Sequence, residues 1–325
     1  MSVLRIGSRG SALALWQANF IRTRLRELAG VESEVAVIRT SGDRFPQAAI
    51  SALSVKGVFI KELEDALLDR SVDLAVHSMK DVPTKIPEGL VFPAIPSRED
   101  PSDCLVSRSG TQWRELPPGT RVGTGSLRRQ AQLRRVRPDL DIRELRGNVD
   151  TRLKKLDAGE FDAIVLAKAG LDRLGLSQRI TEVFSSDTML PAVGQGALGI
   201  ECRADAQATR ALLEELDHPE TRAAVTAERA LLAELEGGCQ VPLGAQGRVA
   251  NGRLMLDAVV LALDGTDALR RAGSGDPSQA EEIGRGLGRE LIAAGAARIL
   301  EMAGRTLSAT AEAGEKRESK TWEQA

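Results

Sequence analysis

The sequence predicts an α/β protein: two sheet domains laid out on one plan, then a smaller α+β domain at the C-terminal end. Three observations carry this. Strand-like apolar runs alternate with amphipathic helices, which implies parallel sheets. After a proline-rich passage (Pro83, Pro87, Pro93, Pro96, Pro101) the pattern restarts in a similar layout. The chain has 325 residues, 42% of them hydrophobic, which is enough for two or three cores.

The first unit opens with the short apolar run VLRIG, followed by SALALWQANFIRTRLRELAG. In that helix Leu13, Trp16, Phe20, Ile21, Leu25 and Leu28 form a broad apolar stripe, and Gly30 ends it. A strand in EVAVIRTS, a polar loop from Gly42 to Gly57, a helix in FIKELEDALLDR and a buried strand in VDLAVH complete the first pass. The second pass runs RVGTGSLRRQAQLRRV as strand, glycine turn and helix, then DIRELRG, a helix from about Asn148, and FDAIVLA. The apolar half of LPAVGQGALGIECR suits a strand returning to the first domain. A helix over 219–235 starts at Pro219 and has Gly237 beyond its end, the expected placement for each residue. Two strand-like runs, PLGAQGRVA and RLMLDAVVLAL, and a helix in AEEIGRGLGRELIAAG build the third domain. The resulting division is 1–96 with 197–216, then 102–192, then 219–306. The tail 307–325 lacks apolar periodicity and is expected to be disordered.

Composition narrows the function. Three cysteines, Cys104, Cys202 and Cys239, lie far apart and suggest neither a disulfide framework nor a zinc ribbon. With no apolar signal core after the N-terminus and no apolar run long enough to span a bilayer, the expectation is a cytoplasmic protein without a membrane partner. Net charge is −2, against a general attraction to nucleic acid, and 3% aromatics with no Tyr count against a stacking surface for single strands. Positive charge is nevertheless clustered. Nine Arg and no Lys fall between Arg121 and Arg152, against four acidic residues. A GC-rich genome accounts for the overall excess of Arg over Lys, but not for the clustering.

In parallel sheets ligands bind at the carboxyl ends of strands, so the loops directly after strands come first. Three stand out: GSRGS with Arg9 and Ser11, HSMKD with Ser78, Lys80 and Asp81, and GTGSLRR with Thr124, Ser126, Arg128 and Arg129. Glycines before a helix N-terminus present free N–H groups to an anion, and arginine adds a planar two-pronged donor. Together they predict a carboxylate- or phosphate-bearing ligand held between two sheet domains. The blander reading makes Ser11 and Ser126 helix caps and Asp81 a surface carboxylate paired with Lys80 or Lys85. GTGSLRR lacks the ending of a nucleotide loop, and no dinucleotide fingerprint follows the first strand. The two histidines, His77 and His218, are far apart and read as structural, and no metal site is expected. Cys239 follows two glycines in LEGGCQVPLG. It reads either as a small buried hydrophobe or as a thiol on an open turn with room for a bulky substituent.

In order along the chain, HSMKDVP, GTGSLRRQAQL, LRGNVDTRL, LPAVGQGALGIECR and LEGGCQVPLG resemble the porphobilinogen deaminase (hydroxymethylbilane synthase) family. The resemblance covers nearly everything before the tail. It implies two periplasmic-binding-protein-like sheet domains around a cleft and a third domain carrying a cysteine. It implies a dipyrromethane cofactor held through a thioether by the matching residue, Cys239. It also implies condensation of four porphobilinogen molecules with loss of ammonia, and hydrolytic release of a linear tetrapyrrole.

Carried over position by position, Asp81 matches the catalytic aspartate. Lys80, Asp81, Ser126, Arg128, Arg129 and Arg146 match cofactor contacts; Arg9, Ser11, Arg146, Arg152 and Arg173 match contacts to substrate carboxylates. The resemblance further implies a monomer. Gly125 departs from the pattern, standing where serine is frequent in the family. The cleft alone also suits a non-enzymatic binding protein for an anionic small molecule, which leaves Cys239 without a task.

Overall fold

The computed structural model describes residues 3–38, 60–235 and 241–306. The expected loop from Gly42 to Gly57, Cys239 with its glycines, and the tail from 307 lie outside the described residues.

The first sheet is ordered β2-β1-β3-β10-β4, from β1 (Leu4–Ser8), β2 (Ser33–Val37), β3 (Leu74–Ser78), β4 (Leu90–Ala94) and β10 (Leu198–Arg203). β1 runs parallel to β2 and β3, while β10 is antiparallel to β3 and β4. The second sheet is ordered β7-β6-β8-β5-β9, from β5 (Asp103–Ser107), β6 (Arg121–Gly123), β7 (Asp141–Arg143), β8 (Ala163–Ala167) and β9 (Glu182–Val183). β6 is parallel to β7 and β8, and β5 is antiparallel to β8.

The two sheets therefore share one plan, as the sequence echo predicts, and each takes its antiparallel fourth strand from a segment that crosses between them. The chain crosses once between β4 and β5 and returns between β9 and β10. The alternating pattern predicts neither β4 nor β9, and it missed β5: all three are short and sit beside prolines or polar turns rather than before a helix.

Helices cover the sheets by burying one stripe each. α1 (Ala12–Ala29) buries Ala18, Ile21 and Leu25 and stops at Gly30, whose φ of +61° a side chain would disfavour. α2 (Lys61–Leu68) packs Leu63 and Leu67 against Ala75 of β3. In the second unit α3 (Leu127–Val136), α4 (Val149–Asp157) and α5 (Lys168–Arg173) follow β6, β7 and β8.

After β10 come α6 (Gln207–Glu214), which the sequence reading did not separate from its surroundings, and α7 (Pro219–Glu234) with Pro in its first turn. The third unit is an antiparallel sheet ordered β11-β12-β13, from β11 (Leu243–Ala250), β12 (Arg253–Leu261) and β13 (Ala268–Gly275), packed on α7 and α8 (Ala280–Ala293). The sequence pattern does not predict β13: in ALRRAGSG Leu269 is the one large apolar residue, and Arg270, Arg271 and Ala272 are exposed. Among the described residues no helix is long and apolar enough to cross a membrane.

Candidate active site

Every described candidate residue stands just past the carboxyl end of a parallel strand, or on the helix that follows it. Arg9 and Ser11 follow β1, Lys80 and Asp81 follow β3, Ser126, Arg128 and Arg129 follow β6, Arg146 and Arg152 follow β7, and Arg173 follows β8. The two sheets bring these ends together. The charges of Arg129, Arg152 and Asp103 from the second sheet act on Lys80 from the first. Burial pushes the Lys80 ammonium below the usual lysine range; Arg129 and Arg152 push the same way, and Asp81 and Asp103 oppose them. Arg152 is pushed down to about 10, by burial first and by Arg129 second, against the pull of Asp81.

Asp81 ends a single 3-10 turn, Met79–Asp81, and is exposed. The turn is held from three sides. Met79 N–H donates to the Ala197 carbonyl at 3.0 Å. Arg229 of α7 donates to the Val82 and Pro83 carbonyls at 2.9 and 2.6 Å. The return crossing presses Gly194 against it: a Cβ there would fall 2.8 Å from the Met79 carbonyl carbon, and φ is +71°. Glycine at 194 is thus what lets the crossing touch the turn.

Ser11 and Ser126 are the caps that the blander reading expects. Ser11 accepts from Ala14 N–H at 3.3 Å, and Ser126 accepts from Arg129 N–H at 3.5 Å. Capping uses a lone pair and leaves the hydroxyl proton to donate to an anion, so the two readings coexist.

The pair Arg128 and Arg129 is more committed than the sequence suggests. They are 3% and 5% exposed, and both bind Asp103, itself fully buried. Arg128 Nη1 donates to Asp103 Oδ2 and to the Leu190 carbonyl, each at 2.6 Å. Arg129 Nε donates to Asp103 Oδ1 at 2.9 Å and Nη1 to the Val165 carbonyl at 3.0 Å. Burial alone would raise the Asp103 carboxyl, but the two guanidinium groups outweigh it and hold it at about 2. Gln195 of the return crossing donates to the same carboxylate at 2.8 Å. Asp103 and Gln195 were missed by sequence reasoning. Asp103 opens a strand far from the arginine cluster in sequence, and only the glycines flanking Gln195 in VGQG hint at its tight crossing.

The outlying candidates differ in freedom. Arg146 is exposed and paired with Glu144 at 2.7 Å, and Arg152 Nε donates to the Gly147 carbonyl at 2.7 Å. Arg173 is 7% exposed, donates from Nη2 to the Gly196 carbonyl at 2.7 Å, and lies over the Trp16 ring. The histidines have structural partners: His77 Nε2 lies 2.9 Å from Glu201 Oε2, and His218 caps α7 by accepting from Thr221 N–H. Among the described residues no cluster is placed to hold a metal ion.

These residues fit an oligocarboxylate. Lys80, Arg128, Arg129 and Arg152 outnumber Asp81 and Asp103 around one space, and the buried Nε–H groups of Arg128 and Arg173 have no acceptor among the described residues. Buried donors of this kind are costly unless a ligand satisfies them.

Comparison with known proteins gives the family. A family model described as porphobilinogen deaminase, dipyromethane cofactor binding domain, matches residues 4–211, and the model of that family's C-terminal domain matches 222–293. The porphobilinogen deaminase of Syntrophobacter fumaroxidans is 51% identical over 92% of this chain and 97% of its own length. That of Desulforudis audaxviator is 53% identical over 91% and 96%. Among solved structures, the methionine-binding protein MetQ aligns with 65% of this chain and 88% of its own at a TM-score of 0.43 and 13% identity, too distant to add to the sheet topology.

Proposed function

The chain belongs to the porphobilinogen deaminase family, transferases that assemble hydroxymethylbilane on a dipyrromethane cofactor, and from that premise we propose how its own residues divide the work. When bound, the dipyrromethane supplies the pyrrole carbon onto which the first substrate is condensed. Cys239 carries it through a thioether. In support, Cys104 and Cys202 are both buried, and burial pushes their thiols up to about 12 and about 11, so neither offers a thiolate at neutral pH.

Lys80, Ser126, Arg128, Arg129 and Arg146 would hold the cofactor carboxylates, and Asp81 would accept hydrogen bonds from its pyrrole N–H groups. Arg9, Ser11, Arg146, Arg152 and Arg173 receive the acetate and propionate groups of porphobilinogen. Asp81 is the catalytic residue. Its carboxylate stabilises the positive charge that develops as ammonia leaves, and it moves protons to the departing amine and from the newly bonded ring carbon. Asp103 balances part of the charge of Arg128 and Arg129 and leaves their remaining donors for the cofactor carboxylates.

The same reading assigns 1–96 with 197–216, 102–192 and 219–306 to three domains, and has the chain working as a cytoplasmic monomer with no nucleic-acid or membrane partner. Sedimentation at working concentration checks the monomer. The observation that carries the reading is the meeting of Lys80 and Asp81 from one sheet with Arg129 and Arg152 from the other. Intact mass together with turnover of porphobilinogen tests it. Asp81→Ala is expected to abolish turnover while retaining the adduct mass, and Cys239→Ser to lack the adduct. Turnover by Asp81→Ala, or a normal adduct on Cys239→Ser, would refute the respective role.

A further inference from the structure

Trp16 stands on α1, its ring stacked on Phe20 with centroids 5.4 Å apart and planes 6° from parallel. On the opposite sheet unit, Arg173 ends α5 with its guanidinium carbon 5.7 Å from the Trp16 ring centroid. The two helices meet closely: a Cβ built on Gly170 of α5 would lie 3.9 Å from Leu13 of α1. Arg173 is fixed on another side by the Gly196 carbonyl of the return crossing, and its Nε–H has no acceptor among the described residues. A guanidinium in a dry setting is drawn to an indole face more strongly than one in water. Nothing in the proposed chemistry has yet used Trp16.

We infer that Trp16 is a positioning residue for the condensation: its indole face holds the Arg173 guanidinium across the boundary between the two sheet units, with Nε–H turned over to a substrate carboxylate. The inference rests on Arg173 being a carboxylate contact. An arginine side chain has many rotamers, and a fork already pinned by an aromatic face and a carbonyl gives up less freedom when substrate arrives. Because Trp16 and Arg173 belong to different units, the fork is held only while α1 and α5 stay together. A shift between the sheets would release it, so Trp16 links substrate capture to their relative placement.

Steady-state kinetics with porphobilinogen on holoenzymes carrying Trp16→Phe, Trp16→Leu, Arg173→Gln and the Leu/Gln pair test this. Trp16→Leu is expected to raise KM roughly five- to thirty-fold, which converts to about 1–2 kcal/mol, with kcat within about twofold. Trp16→Phe should fall between wild type and Trp16→Leu, and adding Trp16→Leu to Arg173→Gln should raise KM no further. A raised KM in Arg173→Gln beside an unchanged KM in Trp16→Leu, or additive effects in the pair, overturns the inference and leaves the Arg173 assignment standing. An unchanged KM in Arg173→Gln removes that assignment and the inference with it. Where Trp16→Leu yields no holoenzyme, Trp16→Phe decides: a KM rise of roughly two- to five-fold supports the clasp, and a wild-type KM beside a raised Arg173→Gln value overturns it.

Discussion

Gly125 shows how a single missing side chain shapes the site. A Cβ at this position would lie 2.8 Å from the Leu145 carbonyl oxygen, a backbone atom that cannot rotate away. The stretch carrying Arg146 therefore lies closer to the SLRR turn than a serine would allow. Gly125→Ser is expected to cost about 1–2 kcal/mol in urea denaturation and to raise KM, because the Leu145 backbone must withdraw and take Arg146 with it. Unchanged stability and KM would mean that the stretch yields freely. At this scale the sequence shows which residues stand at the strand ends, because Lys80, Asp81 and Ser126 follow β3 and β6 directly. It does not show what each touches. That Arg128 and Arg129 share one buried carboxylate depends on Asp103, about 25 residues earlier in the chain. No local pattern announces that pairing.

Among the elements, β5 does most to order the cationic site, although it was not foreseen as a strand. It enters the second sheet antiparallel to β8 in the register Asp103↔Ala167, which places Asp103 at the same end of the sheet as the helix that follows β6. There it compensates two guanidinium groups that would otherwise be buried with like charge alone. Asp103→Asn is expected to cost about 3–5 kcal/mol, since it leaves both arginines without their counter-ion. The pH dependence follows from the Asp103 carboxyl being held at about 2, below its ordinary 3.8. Above the ordinary value both folded and unfolded chains carry the carboxylate, so its stabilisation is fully present. Below it the unfolded chain takes up a proton that the folded one refuses, and the stabilisation drains away between about pH 4 and pH 2. Urea midpoints measured across this window should fall more steeply for wild type than for Asp103→Asn. Parallel slopes would show that the carboxylate is not what acid removes.

For the molecule as a whole, the duplicated sheet plan was legible because VDLAVHSMKD and FDAIVLAKAG occupy the same position in their sheets, β3 and β8. The exchange of strands between the sheets was only half legible: the returning β10 announces itself as an apolar run, whereas the outgoing strand follows the prolines. What ties the crossings together is Glu228 of α7, fully buried. Its carboxylate accepts from Arg98 on the outgoing crossing at 2.6 Å, from Gly194 N–H on the return at 2.7 Å and from Gly247 N–H of β11 at 2.7 Å. One carboxylate thus joins both crossings to the unit whose helix α7 leads toward Cys239, while Arg229 on the next position of that helix grips the chain after Asp81. Glu228→Ala strands a buried guanidinium and two backbone donors, with an expected loss of about 3–5 kcal/mol. Stability alone would not separate this junction from an ordinary buried ion pair. The apolar double substitution Arg98→Met with Glu228→Leu does, because it removes both charges and should regain much of the lost stability in urea, while Gly194 N–H still lacks its acceptor and the turn carrying Asp81 loses its neighbour's register. The double variant is therefore expected to regain the part of the stability lost to the stranded charge, but not the part lost with the acceptor of Gly194 and Gly247 N–H, and to keep a depressed kcat; full recovery of both stability and kcat would reduce Glu228 to a packing role.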